Sequence, residues 1–99
     1  MCLFCDLAKH NVIENDLCYM IYDKFPVAQG HSLIIPKRHI ETVFEMNSAE
    51  WSSAGDLIKQ AKAEIEKQYQ PLGYNIKVNC GKVAGQEIMH AHIHLIPKY

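Results

Sequence analysis

The seven residues His90-Ala91-His92-Ile93-His94-Leu95-Ile96 constrain this chain more than any other stretch. Imidazole and aliphatic side chains alternate there, and on a β-strand successive side chains leave opposite faces. A strand over residues 89–96 turns Ala91, Ile93 and Leu95 toward a core. It places His90, His92 and His94 on the other face, about 6.6–6.8 Å apart along the chain. Three readings of that face are open. It is a solvated histidine row, a zinc site built on i, i+2 histidines, or a nucleophilic imidazole whose neighbours orient it and hold a substrate. Spacing alone does not choose between the last two.

An apolar strand face needs a covering layer, and a covering helix is legible. Asn47 with Glu50 three residues on makes a capping-box pattern. Trp51, Ala54, Ile58, Ala61 and Ile65 then recur at spacings of three and four, with Leu57 beside them. The stripe runs out near Tyr69, before Pro71 and Gly73. Further strands are predicted over 17–22, over 31–35 with Pro36 closing it, and over 74–80, each rich in β-formers or alternating. The order β, β, α, β, β predicts an α+β fold, an antiparallel sheet with one main helix packed on it. The 99 residues suit a single domain over 1–99. A chain of that size buries only about 60–70 % of its unfolded surface, so a second copy or a bound metal would be a natural supplement.

A net charge of −1 argues against a generic nucleic-acid binder. The one basic cluster, Pro36-Lys37-Arg38-His39, is too short to follow a phosphate backbone; a single nucleotide asks for no global charge. No apolar run approaches the roughly 20 residues of a membrane span. The start, Met1-Cys2-Leu3-Phe4-Cys5-Asp6, lacks the basic and long apolar regions of a secretory leader. The chain reads as cytoplasmic with no membrane partner. Its four cysteines then read as thiols or metal ligands rather than disulfides. Cys18 and Cys80 fall in strand-like stretches as buried hydrophobes, while Cys2 and Cys5 form a Cys-x2-Cys pair, a common zinc half-site.

The histidine run resembles the His-φ-His-φ-His-φ-φ signature of the histidine triad (HIT) family of nucleotide hydrolases, where φ is apolar. The resemblance extends to the block from Gly30-His31 through Pro36-Lys37 to His39 and to Asn79-Cys80-Gly81 with Ala84-Gly85-Gln86. It includes the Cys2-Leu3-Phe4-Cys5 start. These blocks follow family order and cover nearly the whole chain, in the manner of bacterial Hint-like and fragile-histidine-triad-like members. The resemblance implies a HIT-like fold, a homodimer and cleavage at the α-phosphate of a nucleoside phosphoramidate or dinucleoside polyphosphate. It implies His92 as the nucleophile, His94 as the contact to the non-bridging oxygens and His90 as the third member of the set. Asn79, Gly85, Gln86 and the backbone of the 81–85 loop would hold phosphate. Asp23 would bind the ribose hydroxyls, and Leu3, Phe4 and Ile21 would line a purine pocket. Position 87 departs, carrying Glu where many relatives have Ser or Thr, and Lys24 stands where many place an apolar base contact. By the same resemblance Cys2, Cys5, His39 and His90 would close around a structural zinc, with no organic cofactor. A module that binds nucleotide with little turnover is the alternative from another class. His10 and His31 receive no catalytic role, His31 serving the start of its strand.

Overall fold

The computed structural model describes residues 3–99. A short helix α1 (Leu3–Leu7) and a 3-10 turn (Ala8–His10) lead into strands β1 (Ile13–Glu14), β2 (Cys18–Tyr22) and β3 (Ser32–Pro36). A second 3-10 turn (Val43–Glu45) precedes the main helix α2 (Ser48–Glu66), followed by β4 (Gly73–Lys77), a 3-10 turn (Lys82–Ala84) and β5 (Ile93–Lys98). The strands form one antiparallel sheet in the order β1-β2-β3-β5-β4. The expected α+β architecture is therefore present, with β1 and α1 added to it.

Helix α2 starts where the capping box places it. The Asn47 side chain accepts from the Glu50 N–H at 2.8 Å, and the Glu50 carboxylate accepts from the Asn47 N–H at 3.0 Å, a cap of about 1 kcal/mol. Its buried face differs from the predicted stripe. Glu50, Ala54, Leu57, Ala61 and Ile65 are buried, Ile58 is partly buried, and Trp51 is 46 % exposed. The face is rotated by one residue at its start because Glu50 is held inward. Besides capping the helix, it receives the Arg38 guanidinium at 2.7 Å and 3.2 Å, so its charge is paired where it is buried.

The two faces of the sheet carry separate cores. Cys18, Met20, Ile34, Ala91, Ile93 and Leu95 pack under α2 with Leu57, Ala61 and Ile65, which is the alternation expected of the histidine run. Phe4, Tyr19, Ile21, Leu33 and Ile35 form the second cluster on the opposite face. Because both faces are covered, β2 and β3 read as nearly unbroken apolar runs rather than alternating ones.

Two strands are shorter than expected. β4 ends at Lys77 rather than Cys80, and β5 begins at Ile93, so among the three histidines only His94 lies in the ladder. The backbone groups just before β5 bond elsewhere: the Ala91 N–H reaches the Ile40 carbonyl at 2.7 Å, and the His90 carbonyl takes the His92 ring at 2.8 Å. At the other end β5 includes Pro97, which pairs with Tyr74. Its lack of an N–H costs nothing there, because β3 has already ended at Ser32 opposite Leu95. Gly30 closes the loop before β3 with φ +85°, and a Cβ there would meet Ile65 Cγ2 at 3.1 Å and Pro97 Cγ at 3.3 Å. That position admits only glycine without strain. Among the described residues no helix is long and apolar enough to cross a membrane.

Candidate active site

The face away from α2 holds a cleft of about 720 Å³. Its floor is one rung of the sheet, read across by register. Ile21 of β2 lies opposite Leu33 of β3, Leu33 opposite His94 of β5, and His94 opposite Lys77 of β4. Leu3, Phe4 and Leu7 of α1 wall one side, and Asn79, Ala84, Gly85 and Glu87 the other, with His92 between them.

The ring nitrogens of this face are assigned by their partners. His92 is buried, with Nδ1 2.8 Å from the His90 carbonyl. A carbonyl only accepts, so Nδ1 carries the hydrogen and Nε2 presents a lone pair. The Phe4 ring stands edge-on to that imidazole at 5.0 Å and the His94 ring at 5.1 Å. His31 accepts the Val27 N–H at Nδ1, 3.2 Å away, which leaves the hydrogen on its Nε2. That Nε2–H donates to His94 Nδ1 at 2.9 Å. His94 therefore keeps its own hydrogen on Nε2 as a donor. Two neutral imidazoles in series thus fix each other's tautomers, starting from a backbone amide.

Burial pushes His31 below the ordinary histidine range. Burial, and then the neighbouring His92 and His31, push His94 down to about 4. Asp23 Oδ2 lies 3.4 Å from His31 Nε2, while its Oδ1 accepts the Phe25 N–H at 3.0 Å. Asp23, His31 and His94 thus bring three metal-ligating atoms together. With the proton on His31 Nε2, a shared hydrogen rather than a metal accounts for that approach.

The pH dependence of stability follows from His94. An unfolded chain takes a proton on this imidazole near 6.5 and the native one only near 4, so between those values the unfolded state binds more protons. Stability contributed by neutral His94 is present above pH 6.5 and is lost as pH falls toward 4. Allowing for solvent at its exposed edge, it amounts to about 1–2 kcal/mol. Urea unfolding at pH 6.5, 5.5 and 4.5 should show that His94→Asn has a shallower acid loss than the wild type. Equal slopes would refute the assignment.

His90 turns away from the cleft toward a second cluster. Its Nε2 donates to the Pro36 carbonyl at 2.8 Å, which leaves Nδ1 as a lone pair. Cys5 Sγ lies 3.7 Å from that Nδ1 and 3.6 Å from His39 Nδ1. Zinc bonds of about 2.3 Å to sulfur and 2.0–2.1 Å to nitrogen, at a tetrahedral angle, put the ligand atoms about 3.5 Å apart. The three donors fit such an ion, and burial also favours the neutral, metal-ligating form of His90 by holding its pKa down. The fourth expected ligand, Cys2, lies outside the described residues. No disulfide joins the described cysteines.

The structure brings Phe4, Leu3, Ile21, Asp23, Asn79, Gly85, His92 and His94 to one cleft. Gln86 is not among them. It is 3 % exposed, its Oε1 accepts the Gly81 N–H at 2.8 Å, and its amide donates to the Glu41 and Ile88 carbonyls at 2.6 and 2.9 Å. Both amide hydrogens are thus occupied, and the side chain braces the loop. The N–H groups of Gly81, Ala84, Gly85 and Gln86 likewise bond within the loop. Asn79 Nδ2 donates to the Gly85 carbonyl at 3.3 Å, tying β4's extension to the loop's left-handed turn at φ +92°. His31, Lys77, Phe25 and Val27 are cleft residues the sequence reading did not select. His31's partner is 63 positions away, and no local pattern joins them.

The sequence and the fold both have counterparts among known proteins. The HIT domain family model matches residues 6–99. An uncharacterised 16.1 kDa HIT-like protein of Mycoplasma pneumoniae is 37 % identical over 103 residues, 99 % of this chain and 72 % of that protein. The adenosine 5'-monophosphoramidase hnt1 of Schizosaccharomyces pombe is 32 % identical, over 98 % of this chain and 74 % of its own. Among solved structures, a HIT family protein from Bacillus anthracis superposes with a TM-score of 0.90 at 31 % identity, covering 99 % and 73 % of the two chains.

Proposed function

The chain belongs to the HIT domain family, and on that premise we propose that it hydrolyses nucleotides at the α-phosphate through a nucleotidyl-histidine on His92. The observation that carries this reading is the His90 carbonyl on His92 Nδ1, which leaves the Nε2 lone pair free beside a donor on His94. The phosphoramidase named in fission yeast supports the reaction class.

In the first step the Nε2 lone pair forms a bond to the α-phosphorus as the bond to the leaving group breaks. The leaving group departs with that electron pair and is protonated. The His94 Nε2–H donates to a non-bridging oxygen as charge builds there. His31, neutral and hydrogen-bonded to His94 Nδ1, keeps that donor in place. In the second step water attacks the phosphorus, releases a proton, and returns the electron pair of the P–N bond to His92. Phosphoryl chemistry of this kind rests on alignment more than on any strong acid or base. Leu3, Phe4 and Ile21 would receive the purine, Asp23 the ribose, and Asn79 the phosphate side, with Gly85 lining the cleft beside it.

A zinc ion on Cys5, His39 and His90, with Cys2 completing the set, would supply a structural cross-link rather than chemistry. Those ligands leave the cleft to His92 and His94. A homodimer formed through α2 and the open edge of β4, where Leu72 and Ile76 are exposed, completes the proposal, in the cytoplasm and without a nucleic-acid or membrane partner.

The test is to quench the protein during turnover of adenosine phosphoramidate and measure its intact mass. An added adenylyl group mapped to His92 supports the reading. Tight AMP binding with neither adduct nor AMP release would move the assignment to a nucleotide-binding module.

A further inference from the structure

The far end of the catalytic rung carries a cation the mechanism above does not use. Lys77 is the direct cross-strand partner of His94, so their side chains leave the same face of the sheet with Cβ atoms about 5 Å apart. The rung Ile21, Leu33, His94, Lys77 crosses four strands, about 14 Å at about 4.8 Å per strand. It passes from an apolar pocket, through the reacting imidazoles, to an ammonium. That ammonium is close enough for its field to reach both His31 and His94. Lys37, Arg38, Lys62 and Lys67 are each paired with a carboxylate, whereas Lys77 has no such partner among the described residues. The cleft carries three other charges. Asp23 and Lys24 follow β2 at the nucleoside end, and Glu87 lies on the loop after Gly85. Of the two lysines that line the cleft, Lys24 stands at the nucleoside end and Lys77 beside His94 on the β4 side.

We infer that Lys77 is a leaving-group specificity residue, which selects nucleotides whose leaving group is itself anionic, a polyphosphate chain, over those that release a neutral amine. The inference rests on the α-phosphate reading above. With the nucleoside at Ile21 and the α-phosphate between His92 and His94, the next phosphate emerges on the Lys77 side. An ammonium there forms a charge-assisted contact that a phosphoramidate nitrogen does not offer. Because Lys77 is exposed, substituting it leaves the core intact.

The experiment compares wild type, Lys77→Met and Lys77→Arg on diadenosine tetraphosphate and adenosine phosphoramidate, at low and high salt. The ratio of kcat/KM for the polyphosphate over the phosphoramidate is expected to fall about tenfold in Lys77→Met and to be largely kept in Lys77→Arg. The fall should shrink at high salt, as screening requires. An unchanged ratio overturns the proposal, whether both substrates are lost equally, which would place Lys77's effect on the His31–His94 pair, or neither is affected. Either result leaves the hydrolase standing. A wild-type protein that turns over neither substrate overturns the α-phosphate reading, and this inference with it.

Discussion

Replacing His92 by alanine is expected to abolish the nucleotidyl adduct and to lower turnover by on the order of 10³-fold or more. The expectation is specific to this imidazole. His90 has its Nε2 on a carbonyl and its Nδ1 toward Cys5, and His94 has its Nδ1 on His31. Among the described residues only His92 pairs a backbone-held Nδ1–H with an unassigned Nε2 in the cleft. The substitution should not unfold the protein, because His92 sits beside the apolar cluster rather than under α2, and far-UV circular dichroism with a thermal melt checks that. Free imidazole added to the alanine variant should restore part of the rate, since the cavity beside Phe4 matches the ring removed. His94→Ala is expected to retain the adduct while slowing its formation, as loss of one transition-state donor costs roughly 10²–10³-fold. Undiminished turnover in folded His92→Ala would refute covalent catalysis at this residue and return the metal-hydrolase reading of the histidine run to consideration.

Much of this site was legible in the sequence, for reasons that differ by residue. The alternation at 90–96 specified which side chains meet α2, because the period of two is a property of the extended chain itself. The Asn47–Glu50 cap fixed the helix start because both hydrogen bonds are local. What failed was what depends on distant partners. The strand was expected from residue 89 but its ladder begins at Ile93, since the backbone before it bonds to Ile40 and to a histidine ring. The Gln86 amide donates to the Glu41 and Ile88 carbonyls, one of them 45 positions away, and no local pattern announces that. Trp51 had the right spacing for the core, but the Arg38–Glu50 pair turns the helix start by one residue. His31 fits the strand's phase as an inert residue, and only the fold brings it to His94.

If zinc binds at Cys5, His39 and His90 as proposed, removing it, by chelation or by Cys5→Ser, is expected to lower the melting temperature by about 10–20 °C, the equivalent of roughly 2–3 kcal/mol for a domain of this size. Helix α1 explains the size of the effect. It spans five residues, too few to persist as a helix unaided. It is tied to the sheet by the Tyr19 hydroxyl on the Phe4 carbonyl, by the Phe4 side chain on His90 and His92, and by Cys5 toward His39 and His90. An ion at Cys5 would link α1 to the segment after β3, where Arg38 is held by Glu50 and by the Glu45 carbonyl, and to the histidine run before β5. Loss of that link frees Phe4, which walls one side of the cleft and packs on His92. Below the melting transition the metal-free protein should therefore keep its adduct chemistry but show a raised KM for nucleotide, with kcat changed less. Metal analysis of the purified protein, melts with and without chelator, and kinetics on the same samples make the comparison. A chelated protein with unaltered melting temperature and KM would show that Cys5, His39 and His90 hold α1 by hydrogen bonds alone, whereas reversible loss of kcat without loss of stability would place the metal in the chemistry.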